Sequence, residues 1–185
     1  MIDFRTLADA DRERLLAWRN TDEVRRQMIR DAEITPDEHA RWFARRLADD
    51  EPRVWIAEWN GRPVGAVYME EHSLSDGWCY WGMYVGEADA RRAGIGAAVA
   101  VAFLDRLFAL PWVHKVCGRV LATNDNALRF NRRLGFTIDG RLREHVARGA
   151  EHIDLYEVSQ TAAEWAGNRP VLAAAAAKVA RHEAE

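Results

Sequence analysis

Residues 90–100, ARRAGIGAAVA, set two arginines and two glycines at the head of a run of small residues. The apolar, β-rich stretch WCYWGMYV (78–85) precedes them. In the segment that follows, Val99, Phe103 and Leu107 recur at the i, i+4, i+8 spacing of one buried helical stripe. Gly94 to Ala97 is therefore expected to open a helix, where the first backbone amides lack internal partners and the dipole favours an anion. Glycine removes the Cβ that would hold a phosphate away from those amides. Arg91 and Arg92 add charge-assisted bonds from outside the turn. The arrangement describes a diphosphate cradle between a strand and a helix. No Lys-Ser or Lys-Thr follows, as a P-loop would require, and the third glycine and downstream acid of the dinucleotide fingerprint are missing.

The rest of the chain supplies a mixed α/β pattern. IDFRTL reads as a first strand, DRERLLAWRN as a helix and TDEVRRQM as a second short helix. In TPDEHARWFARRL, Thr35 as N-cap, Pro36 at the first helical position and Glu38 three residues after the cap form a capping box. VWIAEW and RPVGAVYMEE are β-rich runs joined by Asn60-Gly61, the dipeptide a type I′ hairpin prefers. HKVCGRVLA reads as a further strand and DNALRFNRRL as a short helix, and FTIDGRLREHVARGAEHIDLYEVS closes the fold as a hairpin turning near Gly149. Residues 1–167 are expected to form one domain, and 168–185 an alanine-rich tail that is either a docked helix or a frayed end.

Composition narrows the function. A net charge of −3 provides no global field for a polyanion, so nucleic acid is not the expected partner. Only Lys115 and Lys178 are lysines among 26 basic residues, a skew spread along the whole chain and given no functional weight. Cys79 and Cys117 lie in apolar runs without metal-ligand spacing, so buried thiols and no metal are expected. The start has no basic n-region with an apolar core, and no stretch is apolar enough for a membrane span, so a cytoplasmic protein without a membrane partner is expected. Surface aromatics suggest a homodimer without locating its interface.

Arg91-x-x-Gly94-x-Gly96 matches R/Q-x-x-G-x-G/A, the acetyl-CoA diphosphate loop, and here the chain resembles the GNAT superfamily of N-acetyltransferases. NDNALRFNRRLGF is similar to the family's N-x-x-A-x-x-x-(Y)-x-x-x-G-F block, with Asn124, Ala127, Gly135 and Phe136 in place. The resemblance covers roughly residues 2 to 160. It implies a seven-stranded, mostly antiparallel mixed sheet flanked by about four helices and splayed at the acetyl-CoA site. Acetyl-CoA would be held by Arg91, Arg92, Ala93, Gly94, Ile95, Gly96 and Ala97. Met83, Tyr84 and Val85 on a bulged strand, with the bulge expected at Gly82, and Asn124, Phe130 and Asn131 would complete that site. The reaction implied is direct attack of an amine on the thioester in a ternary complex, with the amide of Met83 or Tyr84 meeting the developing negative charge.

WRN at 18–20, Met28, EH at 38–39 with WF at 42–43, GRLREHV and IDLYEVS are together most similar to the branch that acetylates the 4-amino group of UDP-4-amino-4,6-dideoxy-N-acetyl-β-L-altrosamine in pseudaminic acid biosynthesis. That branch implies a small-molecule sugar-nucleotide acceptor, with Arg19, Met28, Glu33, His39, Tyr68 and Trp81 as its contacts. Arg25, Arg26 and Arg30 are further candidates for a second diphosphate. Ribosomal-protein-type Nα-acetylation, which shares EH..WF, and a non-catalytic CoA-binding domain are the competing readings. Two departures stand out. Where many relatives carry a tyrosine as acid for the leaving thiolate, this chain has Asn131, so Tyr68 and Tyr84 are candidate substitutes. Residues 119–122 offer no carboxylate, so His39 is the first candidate base and Glu33 the next.

Overall fold

The computed structural model describes residues 1–181, with side chains described through residue 174. The first hairpin follows directly from its sequence. β2 (Val54–Trp59) and β3 (Arg62–Ser73) are joined by Asn60 and Gly61 alone, and both carry positive φ, 52° and 78°, as a type I′ turn requires. β1 (Ile2–Thr6) pairs with β2, and β4 (Trp78–Val85) with β3. β5 (Lys115–Leu121) lies beside β4 and is the one parallel neighbour. β6 (Thr137–Arg148) and β7 (Glu151–Thr161) turn at Gly149 and complete a seven-stranded sheet of order β1-β2-β3-β4-β5-β7-β6. Six neighbouring pairs meet across this mixed sheet, and all but β4–β5 run antiparallel.

Helices cover both faces. α1 (Arg12–Asn20), the one-turn α2 (Asp22–Arg25) and α3 (Pro36–Leu47) lie on one side. Leu15, Trp18 and Phe43 from α1 and α3 pack there on Ile56 and Ala66 of the sheet. α3 starts as its capping box dictates: the Glu38 amide donates to Thr35 Oγ1 at 3.3 Å, and Glu38 accepts from the Thr35 amide at 3.1 Å. On the other face, α5 (Gly96–Phe108) buries Val99, Phe103 and Leu107. Phe103 meets Phe4 at 5.5 Å and Trp55 at 5.4 Å. α4 (Ala88–Arg92) is a short turn before α5, and α6 (Asp125–Arg133) sits between β5 and β6.

α7 (Ala162–Arg181) begins directly after β7 and runs unbroken through the expected border at residue 168. Trp165 stacks on Phe108 at 5.8 Å, and Arg169 pairs with Asp105 at 3.0 Å, so the start of the alanine-rich segment is docked on α5. Cys79 and Cys117 are both buried, and burial raises both thiols, Cys79 to about 12. No helix among the described residues is long and apolar enough to cross a membrane.

Candidate active site

The sheet forks at its centre. β4 and β5 pair at Trp78, Cys79 and Tyr80 only, so from Trp81 onward β4 has no partner on its β5 side. The indole of Trp81 lies in the fork: its Nε1 is 3.6 Å from where a Cβ on Gly118 would stand, and the ring stacks on Phe136 at 5.8 Å. Trp81 is 8% exposed, which makes it part of the fork's packing more than an acceptor platform.

The bulge expected at Gly82 is in β3 instead. The β3–β4 register is regular from Gly65↔Val85 to Met69↔Trp81 and shifts only between Met69 and His72. Gly82 has a different task. A Cβ there would stand 2.2 Å from the ring of Tyr68, its cross-strand partner, so the missing side chain makes room for that ring.

At the end of β4 the glycine loop forms as the sequence requires. Gly94 has φ +74°, a conformation that L side chains rarely adopt. The Gly94 amide bonds to Arg91 O and the Val99 amide to Ile95 O. Between them, the amides of Gly96, Ala97 and Ala98 make no hydrogen bond among the described residues. A Cβ on Gly96 would meet only Val85 Cγ2, at 3.9 Å, so the space above these donors is open. Arg91 departs from expectation. Its Nη1 donates to the carbonyls of Val85 and Gly86 at 2.8 and 2.6 Å, so the side chain ties the loop to β4 and does not reach outward. Arg92 is exposed and is the outward arginine of the pair.

The fork opens into a cleft of about 1160 Å³. It is lined from below by β3, β4, β5 and α6, and from above by α1, α2, α3 and their loops. The structure brings Arg19, Met28, His39, Tyr68, Trp81, Met83, Tyr84, Arg91, Asn124, Phe130 and Asn131 to this one surface. Glu33 is exposed and outside it. Asn124 Oδ1 caps α6 through the Ala127 amide at 3.0 Å, and Asn131 Nδ2 donates back to Ala127 O at 2.9 Å. His39, 4% exposed, lies against the tilted rings of Trp42 and Phe43 at 5.3 and 6.0 Å, and burial, with Arg12, lowers its basicity. Burial raises the Tyr68 and Tyr84 phenols, which therefore stay protonated and able to donate.

Arginine dominates the acceptor wall. Eight arginines line the cleft against four glutamates, with no lysine or aspartate among the lining residues. Several are committed: Arg30 pairs with Glu38, Arg46 with Asp49, and Arg119 with Glu71 and Glu157. Off the cleft, Arg25 and Arg26 both pair with Asp22, so neither is free for a second diphosphate. Arg19 is different. Its Nη2 donates to Arg30 O at 2.7 Å, but Nη1 is buried without a partner, close enough to Tyr68 and Tyr84 to feel both. A buried guanidinium nitrogen left unpaired costs stability unless a ligand satisfies it.

Three features escaped the sequence reading. Glu70 and Glu71 in the β3 bulge line the cleft, and Arg148 at the tip of the β6–β7 hairpin holds the Met28 loop that lines it. Arg148 Nη2 donates to Met28 O, and Nη1 pairs with Asp31 at 3.1 Å, strapping the loop between α2 and α3 to a strand 120 residues away. Among the described residues no group of three His, Cys, Asp or Glu side chains is placed to hold a metal.

A forked α/β sheet with an open-amide glycine loop at the fork defines an acyltransferase of the CoA-binding type. The comparisons agree: residues 2–137 match the family described as "Acetyltransferase (GNAT) domain", and the chain belongs to that family. No protein with a curated description matches the sequence. Among solved structures, the spermidine N-acetyltransferase of Vibrio cholerae in complex with CoA and spermine superposes with a TM-score of 0.80 at 16% identity, covering 89% of this chain and 98% of that one. A GCN5-related N-acetyltransferase from Brucella melitensis gives 0.75 at 17% identity, covering 94% and 81%. At such identities the likeness speaks for the fold.

Proposed function

We propose that the protein is an acetyl-CoA-dependent N-acetyltransferase whose acceptor is an amino sugar on a nucleoside diphosphate, the 4-amino group of a UDP-amino-dideoxy sugar being the best-supported case. The observation that carries this reading is the arginine-rich acceptor wall with the orphaned Nη1 of Arg19. A polyamine, the acceptor named for the Vibrio cholerae enzyme, is a polycation and would be repelled by such a wall. An anionic diphosphate is attracted to it.

The residues present fit acetyl-CoA. The free amides of Gly96, Ala97 and Ala98 with Arg92 would bind its diphosphate, and the unpaired edge of β4 at Met83, Tyr84 and Val85 would hold its pantetheine arm. When bound, it supplies an activated acetyl group as a thioester. The protein's own contribution is then largely positioning: the fork orients one substrate, and Arg19 and the strapped Met28 loop orient the other. Tyr68 and Tyr84 are cleft hydroxyls available where Asn131 cannot deliver a proton, while the third, Tyr80, donates to Glu157.

Incubation with acetyl-CoA and, separately, the UDP-4-amino sugar, spermidine and an N-terminal peptide, with thiol release as the readout, tests the proposal. Turnover of the sugar nucleotide alone is expected. Turnover of spermidine or the peptide with none of the sugar overturns it.

A further inference from the structure

The bulge in β3 sorts two adjacent glutamates into different roles. Met69 pairs with Trp81 and His72 with Cys79, so Glu70 and Glu71 together oppose the single residue Tyr80. Both line the cleft, beside the mouth of the fork. Glu71 is held by Arg119, whose Nη1 reaches its Oε1 at 2.8 Å. The same guanidinium lies 4.1 Å from the Tyr80 ring centroid and donates from Nε to Glu157 at 3.1 Å, and Glu157 also accepts from the Tyr80 hydroxyl at 2.7 Å. Arg119 is therefore committed to Glu71, Glu157 and the Tyr80 ring. Glu70 has no hydrogen bond or ion pair among the described residues, and its strand face is that of Tyr68, two residues before it.

From this placement we infer that Glu70 is a catalytic residue, the group that accepts the proton of the acceptor ammonium before the amine attacks. The inference rests on the N-acetyltransferase reading above. In the step, the nitrogen's N–H bond breaks and its electron pair stays on nitrogen, while the proton passes to the Glu70 carboxylate and from there to bulk water. Formation of the C–N bond then breaks C–S, the sulfur keeping that electron pair and taking up the second proton that the nitrogen loses.

The surroundings favour this role. Glu70 is exposed at the cleft mouth, but partial desolvation by the cleft wall, with the neighbouring charge of Glu71, pushes its carboxyl above the usual range and makes it a stronger base than a free glutamate. Arg119 from β5 and Arg46 from α3 oppose that rise without cancelling it. Tyr68 on the same strand stays neutral. Glu71 is pulled the other way by Arg119 and stays ionised. Neighbouring carboxyls driven apart in this manner mark a division between proton transfer and structural charge.

Two measurements test it. E70Q is expected to lower kcat about 10²-fold and to abolish an acidic limb of the kcat/KM profile, while the limb owed to the amine itself stays. E71Q removes a like charge and frees Arg119 to turn toward Glu70, so it moves the same limb to lower pH. Carbon-13 NMR of glutamate carboxyls in the free protein, with the Glu70 resonance assigned by its loss in E70Q, is expected to titrate above about 4.3, the value of an unperturbed glutamate. E70Q that keeps half or more of kcat with the limb unchanged overturns the inference, as does a Glu70 resonance at or below the ordinary value. The kinetics are run on whichever of the three amines turns over, so spermidine or peptide as sole substrate overturns the acceptor reading and leaves the Glu70 result standing. Silence on all three overturns both.

Discussion

At the glycine loop the open groups are main-chain amides, whereas along the α1–α3 wall the groups facing the cleft are arginine, histidine and methionine side chains. The first surface is set by backbone geometry: Gly94 at φ +74°, Arg91 turned inward onto two carbonyls and three free donors on α5. The second is set by tertiary contacts, with the Met28 loop held by a strap from the far end of the chain and Arg19 held through one carbonyl. Away from its glycines, a main-chain cradle tolerates sequence drift because any residue but proline supplies an amide. A side-chain wall does not, so the donor face is generic and the acceptor face individual.

That contrast predicts variants that damage one face and spare the other, and it breaks if both faces respond alike. The double variant G94V/G96L forces a β-branched residue into positive φ and fills the space over the free amides. It is expected to weaken acetyl-CoA binding by about 10³-fold, equivalent to two or more lost charge-assisted bonds, by calorimetry. Acceptor binding to the same protein is expected to change little. R19A is expected to do the reverse, raising the acceptor KM by about 10- to 100-fold with acetyl-CoA affinity intact, because it removes one buried charged hydrogen bond. An R19A enzyme with normal acceptor kinetics would remove Arg19 from the site. R148A loosens the Met28 loop without touching either substrate, so a smaller rise, about 5-fold in acceptor KM, is expected from steady-state kinetics.

The smallest effect is on stability. Burial, helped by Arg12, depresses the basicity of His39, so the unfolded chain binds its proton more tightly than the fold does. The stabilisation is complete above about pH 6.5, the unperturbed value, and is lost progressively as pH falls from there through the folded value. Urea titrations at pH 7.5 and 5.5 should therefore show a decline that H39Q reduces.

Local chemistry was the legible part. Asn60-Gly61, the Thr35–Glu38 capping box, the α5 stripe and the glycine loop each depend on residues a few positions apart, and each forms as its spacing demands. What stayed hidden depends on residues far apart. Nothing in YMEEHS marks a bulge, since the shift is decided by how β3 meets β4. Gly82 reads as a bulge glycine until Tyr68 lies across it. Arg91 reads as a phosphate ligand until the carbonyls of Val85 and Gly86 turn toward it, and Arg25 and Arg26 until Asp22 claims both.

The Arg148 strap has a consequence for engineering. In the function proposed above, acceptor preference is spread over the α1–α3 wall and a hairpin tip near position 148, so transplanting α1–α3 from another acetyltransferase would bring the wall without its anchor. A successful graft has to carry both pieces together, and a chimera joined anywhere between them inherits a mismatched pair.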